Sequence, residues 1–347
     1  MNYKYDYAVF IGRFQPFHTG HKQVIETALQ HAETLIIVIG SANQPRTPKN
    51  PWGARERAGM ILGQNFNGQL PRIRIVKVND QANDQKWTAA IQEAVSQAML
   101  RDGWRDQPNK VAIIGHNKDE SSYYLKMFPQ WESIDHDMNE IVNATDLREL
   151  YFEGKNLKFL QSLVPETVFA QLAAFRKTEA FRTLVKEYEF IKQYRKSWEV
   201  APYPPTFVTT DAVVVQSGHI LLIKRRASPG AGTWALPGGF VDQNERLEDA
   251  MIRELREETR LKVPDPVLRG NIKKTRVFDD PSRSLRGRTI THAYFIELPP
   301  GDLPKVTGVD DPDKAISKAT WVPLSEIKGE EMFEDHWFII EYFVGQN

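Results

Sequence analysis

Residues 238–261 read GGFVDQNERLEDAMIRELREETRL. Within this run Glu254, Glu257 and Glu258 stand at i, i+3 and i+4 on a single short helix, with Arg253 beside them. At 3.6 residues per turn the three acids share an arc of roughly 100° on one side of that helix. Carboxylates so close repel one another at neutral pH, so the spacing calls for a cation among them. Oxygen-only ligands suit Mg2+, or Mn2+, better than zinc. The plainer alternative is a solvated face with Arg253 bridged to Glu257 at i, i+4. The residues around the acids argue against it.

Counting from Gly239, the order is Gly, five residues, Glu245, seven residues, then Arg253-Glu254-Leu255-x-Glu257-Glu258. Strand-like AVVV and LLIK and the turn signal LPGG precede it. This order resembles the Nudix box of hydrolases that cut a nucleoside diphosphate linked to another moiety. The resemblance implies metal ligation by Glu254, Glu257, Glu258 and the Gly239 carbonyl, with Glu258 and Glu254 central to turnover. It also implies that Glu245 and Arg253 hold loop and helix in register. One position departs: Arg260 stands where the family has the glycine that ends the helix in a left-handed turn, which puts that turn in question. The flanking segments PPTFVTTDAVVV and FDDPSRSLRGRTIT resemble those of ADP-ribose pyrophosphatases. ADP-ribose is the implied substrate, and Phe207, Arg225 and Arg288 are the expected contacts, with Arg226, Arg283 and Arg286 as further candidates.

The whole chain sets the frame. At 347 residues it is too long for one compact core. Forty-five basic and 45 acidic side chains cancel, which argues against a general nucleic-acid or anionic-membrane binder. There is no cysteine, which excludes disulfides, thiolate nucleophiles and Cys-zinc sites. The start, MNYKYDYAVF, lacks a basic segment followed by a long apolar one, and the longest apolar run, residues 35–39, is too short to span a membrane. A cytoplasmic enzyme of small molecules is expected, with a homo-oligomer left open.

Four strand-like runs, YAVFIG, TLIIVIGS, RIRIVKV and KVAIIGH, alternate with helix-like HKQVIETALQHA, GARERAGMILGQ, TAAIQEAVSQAML and SSYYLKMF. Short apolar strands between amphipathic helices predict an α/β fold with a doubly wound parallel sheet. A charged helical stretch then leads into prolines 202, 204 and 205, which cannot continue a helix. The expected division is a first domain over 1–185, a helical and proline-rich linker over 186–205, and a second domain over 206–347. The strands FVTTDAVVV, HILLIKR, THAYFIEL and ATWVPL should form a mixed sheet around the acidic helix, an α/β/α sandwich.

Directly after the first strand comes GRFQPFHTGH, residues 12–21. Gly12 allows close backbone approach, and the following helix offers free N–H groups and a positive dipole end to phosphate. His18 and His21 can face the same point. The HxGH element resembles the Rossmann-like nucleotidyltransferase superfamily, and the longer motif looks like nicotinamide-mononucleotide (NMN) adenylyltransferases of the archaeal type. Matches continue through IGSANQPRTPKNPWGARER, DQANDQKW, GHNKD and NATDLR. The resemblance implies that His18, His21 and Arg148 act on the ATP phosphates, helped by Arg13 and Lys49. Gly12, Phe14, Asn50, Trp52, Gly115 and Thr145 would line the ATP and NMN sites, and Trp87 would stack on the cationic nicotinamide ring. This chain has Val142-Asn143-Ala144-Thr145 where the family has a serine-rich loop, and Lys49 where a forked Arg can stand.

The full arrangement resembles bifunctional NMN adenylyltransferase/Nudix hydrolases, with ATP, NMN and ADP-ribose as substrates. A non-catalytic, ADP-ribose-sensing second domain is the alternative, disfavoured by the retained glutamates. Transfer to pantetheine phosphate, FMN or glycerol phosphate is a further one, disfavoured by the residues around Asn50, Trp52 and Trp87. A dehydrogenase fails because no GxGxxG follows the first strand.

Overall fold

The computed structural model describes residues 3–81, 83–103, 109–115, 120–136, 142–154, 157–307 and 316–345. Contacts divide the chain into two compact units, Met1–Val185 and Lys186–Asn347.

In the first unit β1 (Tyr5–Gly12), α1 (Thr19–His31), β2 (Ala32–Ile39), α2 (Ala54–Leu62), β3 (Ile73–Lys77), α3 (Asp84–Arg101), β4 (Val111–Ile114) and β5 (Glu132–Ile134) are followed by α4 (Ala144–Phe152), α5 (Glu166–Phe175) and the start of α6 (Glu179–Ser197). The five strands pair in parallel in the order β3-β2-β1-β4-β5. β1 and β2 are buried on both faces, which is why their apolar runs do not alternate with polar residues. α3 closes one face by packing Ile91 and Val95 against Val9, Ile36, Val38 and Ile113. Each such side chain contributes about 1.5–3 kcal/mol on burial. Strand order reverses between β1 and β4, so the crevice beyond their carboxyl ends is where such a sheet binds ligands. SSYYLKMF, expected as an α-helix, lies in a 3-10 stretch, Glu120–Met127, and β5 was not anticipated.

The second unit contains β6 (Thr206–Gln216), β7 (His219–Arg225), β8 (Trp234–Ala235), β9 (Gly238–Phe240), α7 (Leu247–Thr259), α8 (Asp265–Gly270), β10 (Ile272–Phe278), β11 (Arg288–Glu297), β12 (Ile316–Pro323) and α9 (His336–Val344). The sheet runs β10-β11-β6-β7-β12, with β8 on β7 and β9 on β6. β6 and β11 are parallel and the other pairs antiparallel. Residues of β6 alternate between two helical layers: Ala212 and Val214 meet Met251, Ile252 and Leu255 of α7, while Val213 and Val215 meet Ile339, Ile340 and Phe343 of α9. That two-sided cover explains the unbroken AVVV run.

Arg260 does end α7 in the left-handed conformation, φ 49° and ψ 33°, so the exit turn is kept without glycine. From Lys186 on, α6 belongs to the second unit and packs within it: Glu187 accepts the Gly230 N–H at 3.3 Å, and Tyr194 meets Phe207. Among the described residues no helix is long and apolar enough to cross a membrane.

Candidate active sites

The first site is built at the carboxyl end of β1. Gly12 closes the strand, and a Cβ there would lie 2.8 Å from the ring of Phe14, so only glycine lets that ring fold over the strand end. Phe14 is itself left-handed (φ 53°) and buried edge-on to His21 at 4.8 Å. His18 caps α1. Its Nδ1 accepts the His21 N–H, and the His21 Nδ1 accepts the His18 N–H, both at 3.3 Å. The rings stack with centroids 3.6 Å apart. With each Nδ1 serving as an acceptor, the neutral rings carry their hydrogens on Nε2, which makes both Nε2 atoms donors.

Two buried guanidinium groups brace the loop between β1 and α1. Arg148, in the first turns of α4, donates to the Gln15 carbonyl at 2.8 Å and to the Thr145 hydroxyl at 3.1 Å. Burial pushes it down to about 10, and the Arg13 charge acts in the same direction. Arg57, only 1% exposed, donates to the carbonyls of Arg13 and Gly40 at 2.7 Å and of Ser41 at 3.0 Å. Burial lowers it too to about 10. Arg57 thereby ties the loop after β1 to the loop after β2. Net positive charge in a crevice of low polarity is an anion trap.

The expected mononucleotide residues are distributed unevenly. Gly115 follows β4, where a Cβ would lie 2.8 Å from Leu125. The Asn50 N–H donates to the Thr47 carbonyl at 3.0 Å, and its buried Oδ1 has no hydrogen-bond partner among the described residues. Lys49 is half-buried in the same loop. The Trp52 ring is core, packed on Tyr151 and Phe175, and only its backbone meets the site loop, through Gln15 at 2.8 and 3.1 Å. Trp87, in the first turn of α3, is partly buried against Tyr124 and Phe128. Of GHNKD, residues 116–119 lie outside the described residues.

The second site is organised by two glycines. At Gly238 a Cβ would press into the Thr210 carbonyl, and at Gly239 it would lie 2.5 Å from Glu254 Oε1. The pair is therefore a short strand against β6, not the turn that LPGG suggested, because missing side chains let β9 approach both β6 and α7. Glu258 is half-buried and accepts the Gly238 N–H at 2.9 Å. Burial pushes its carboxyl well up, and Glu254 adds to the rise. Burial raises Glu254 as well, against the pull of Arg253. Arg253 reaches Glu245 at 2.5 and 3.0 Å, Glu254 at 2.8 Å and Glu257 at 3.8 Å. Its bonds, with the Asp242 N–H, hold Glu245 down to about 2.

Among the described residues no three acid or imidazole side chains converge on one metal-sized point. Glu254 and Glu258 face the β9 backbone, whereas Glu257 is 43% exposed at Arg253. The donor set nevertheless suits a hard divalent cation. Two half-buried carboxylates beside a backbone whose glycine lets an acid come close form an all-oxygen cradle that is electrostatically strained unless a cation neutralises it.

Of the expected ADP-ribose contacts, Phe207 and Arg225 lie at this site. Arg225 is half-buried with its guanidinium 4.0 Å over the Phe333 ring; burial and then the Arg286 charge lower it, against Glu334, Glu258 and Glu187. Arg288 instead donates to the Asp279 carbonyl at the end of its own hairpin.

Two family models match the chain: a cytidylyltransferase-like model over residues 9–66 and a NUDIX domain model over 205–343. A nicotinamide/nicotinic acid mononucleotide adenylyltransferase of Acinetobacter baylyi is 43% identical over 188 residues, 54% of this chain and 95% of that protein. A solved bifunctional NMN adenylyltransferase/ADP-ribose pyrophosphatase from Francisella tularensis is 35% identical, with a TM-score of 0.89 and 99% of each chain covered. This chain belongs to that bifunctional family. A second Francisella structure, complexed with AMP and a manganese ion, matches with 33% identity, a TM-score of 0.87 and 99% of each chain covered.

Membership makes the chain a nucleotidyltransferase joined to a Nudix hydrolase, and Nudix hydrolases use a divalent metal. Three residues packed beside the candidate sites were not singled out from the sequence. Asp211 lies buried beside Glu258, accepting the Thr291 hydroxyl at 2.6 Å, and its signal was an acid inside TTDAVVV. His336 is buried 3.8 Å from Asp211 and accepts the Leu236 N–H at 2.9 Å, a structural place in the core beside that acid. Arg57 had no signal beyond a charge on the inward face of α2.

Proposed function

We propose that the first unit transfers the adenylyl group of ATP to NMN, giving NAD+ and pyrophosphate, and that the second hydrolyses ADP-ribose to AMP and ribose 5-phosphate. The observation that carries this reading is the likeness to the Francisella bifunctional enzyme along the whole chain.

In the first reaction the NMN 5′-phosphate attacks the α-phosphorus of ATP in line and pyrophosphate leaves, so no protein nucleophile is needed. The Nε2 hydrogens of His18 and His21 and the amino end of α1 bind the triphosphate. Arg148, Arg13 and Lys49 stabilise charge developing on the leaving β- and γ-phosphates. Thr145 holds Arg148 in place, Gly12 and Gly115 make room for Phe14 and Leu125 at the strand ends that face the nucleotides, and Phe14 fixes the His21 ring. Asn50 faces the mononucleotide, the backbone of Trp52 holds Gln15 in the site loop, and Trp87 stacks on nicotinamide.

In the second reaction the substrate diphosphate lies between Arg225 and the acidic helix. The divalent ion, which we take to be Mg2+ with Mn2+ able to replace it, supplies charge neutralisation and a more acidic attacking water. Glu254, Glu257, Glu258 and the Gly239 carbonyl would hold it. Arg253 and Glu245 keep β9 and α7 in register so that those oxygens stay aligned. We place the protein in the cytoplasm, acting on small molecules and on neither nucleic acid nor membrane.

The test is direct. Purified protein is incubated with ATP, a divalent ion and either NMN or nicotinic acid mononucleotide, and separately with ADP-ribose, NAD+ or NADH, with products identified by mass. NAD+ from NMN and AMP from ADP-ribose are expected. Turnover of neither would overturn the assignment.

A further inference from the structure

The loop that carries Arg225 is tied down from outside the hydrolase box. Glu187, in the part of α6 that belongs to the second unit, is 6% exposed, and its carboxylate accepts the Gly230 N–H at 3.3 Å. Gly230 lies in the loop between β7 and β8, left-handed at φ 76°, and a Cβ there would press into the Phe333 ring. The loop is therefore held between a buried acid of α6 and an aromatic ring.

Arg225 closes the same loop. Its N–H donates to the Thr233 carbonyl at 3.0 Å, and its carbonyl accepts the Gly232 N–H at 2.8 Å. Its Nε donates at 2.9 Å to the carbonyl of Pro229, the residue before Gly230. The guanidinium lies 4.0 Å over the same Phe333 ring that meets Gly230. Glu187, Gly230, Pro229 and Arg225 thus form a continuous chain of contacts. Among the described residues the Arg225 side chain makes no hydrogen bond or ion pair beyond its Nε, so both terminal nitrogens keep their donors for a bidentate oxyanion.

We propose that Glu187 is a positioning residue of the hydrolase: by holding the Gly230 N–H it fixes the β7–β8 loop, and with it the Arg225 fork, where the diphosphate binds. The inference rests on the reading of Arg225 as a diphosphate contact. A negative charge near an anion site opposes binding, so Glu187 contributes as a hydrogen-bond acceptor and not through its charge. A fork already set in place loses less freedom when the anion arrives, so the effect falls on affinity. The helix ahead of β6 thereby becomes part of the hydrolase site, although Glu187 itself touches no substrate.

The test measures ADP-ribose hydrolysis at saturating divalent ion by the full chain carrying Glu187→Met, Glu187→Gln, Arg225→Ala, or Arg225→Ala together with Glu187→Met. Methionine fills the same space without an acceptor, whereas glutamine keeps the acceptor and drops the charge. Glu187→Met is expected to raise KM about 5- to 20-fold, with kcat within about threefold of wild type. Glu187→Gln should hold KM at or below the wild-type value, because the acceptor stays and the opposing charge is gone. In the Arg225→Ala background Glu187→Met should move KM by less than about twofold, which a general loss of packing would not do. An unmoved KM in Glu187→Met, a rise beyond about threefold in Glu187→Gln, or full additivity with Arg225→Ala would overturn the proposal. Should Glu187→Met not fold, the Glu187→Gln value decides alone. An unmoved KM in Arg225→Ala would remove the underlying reading and this one with it, whereas a raised KM there with an unmoved KM in Glu187→Met removes this one alone.

Discussion

Adding one methyl group at Gly239 should separate the two reactions. In Gly239→Ala the new Cβ would stand 2.5 Å from Glu254 Oε1 and 2.6 Å from its carboxyl carbon, whereas ordinary contact begins at 3.4 Å. The carboxylate must retreat by about 0.9 Å, the difference of 3.4 and 2.5. It cannot retreat without cost, because Arg253 holds the same oxygen at 2.8 Å. A misplacement near 1 Å at a reacting centre costs on the order of 100-fold, or about 2.7 kcal/mol of barrier. Backbone strain should be small, since the atom in the way ends a side chain. The assay is kcat for AMP release from ADP-ribose at saturating divalent ion, with NAD+ synthesis by the same preparation as control. Hydrolysis should fall about 100-fold, synthesis should stay unchanged, and the thermal midpoint should move by less than about 2 °C. A hydrolytic kcat within about threefold of wild type, with the fold intact, would refute the idea that Glu254 is positioned through the space at Gly239.

Arg260→Gly should stabilise the second unit by about 0.5–1 kcal/mol in denaturant unfolding, because a non-glycine left-handed residue costs about 1–2 kcal/mol and glycine returns part of that as chain entropy. Arg57→Met should destabilise the first unit by about 3–5 kcal/mol, since three buried carbonyls lose their donor; a loss below about 1 kcal/mol would contradict its role as a tie between loops. Burial pushes His336 down to about 3, so between roughly pH 6.5 and 3 the unfolded chain binds a proton that the folded one refuses. The stability from its neutral burial is complete above pH 6.5 and is lost as pH falls, at up to about 1.4 kcal/mol per pH unit. His336→Gln, which keeps an acceptor for the Leu236 N–H, should flatten that slope in acid unfolding of the second unit.

What could be read from the sequence was whatever lies in local periodicity. The buried parallel strands announced themselves because cover on both faces requires continuous Val and Ile, and the box announced itself because helical spacing brings its acids together. β10 could not be seen that way. Most of its residues face solvent, so IKKTRVF has charge where alternation would have shown a strand. β9 was hidden for the opposite reason: Gly238 and Gly239 look like a turn, and the need for glycine comes from Thr210 and Glu254, neither of them adjacent in sequence. Site residues divide along the same line. His18 and His21 sit in one motif, while Arg57, Asp211 and His336 acquire their places only through tertiary packing. Trp52 carries the motif, yet its ring packs in the core because Tyr151 and Phe175, far along the chain, fold over it.

The central claim is that one chain holds two separate sites for phosphorus chemistry, and paired disabling variants test it most directly. NAD+ synthesis and ADP-ribose hydrolysis are to be measured side by side in Arg148→Ala and Glu258→Gln. The account predicts that Arg148→Ala loses synthesis by on the order of 100-fold while hydrolysing normally, and that Glu258→Gln does the reverse. Loss of both activities in either folded variant, or of neither, would contradict it.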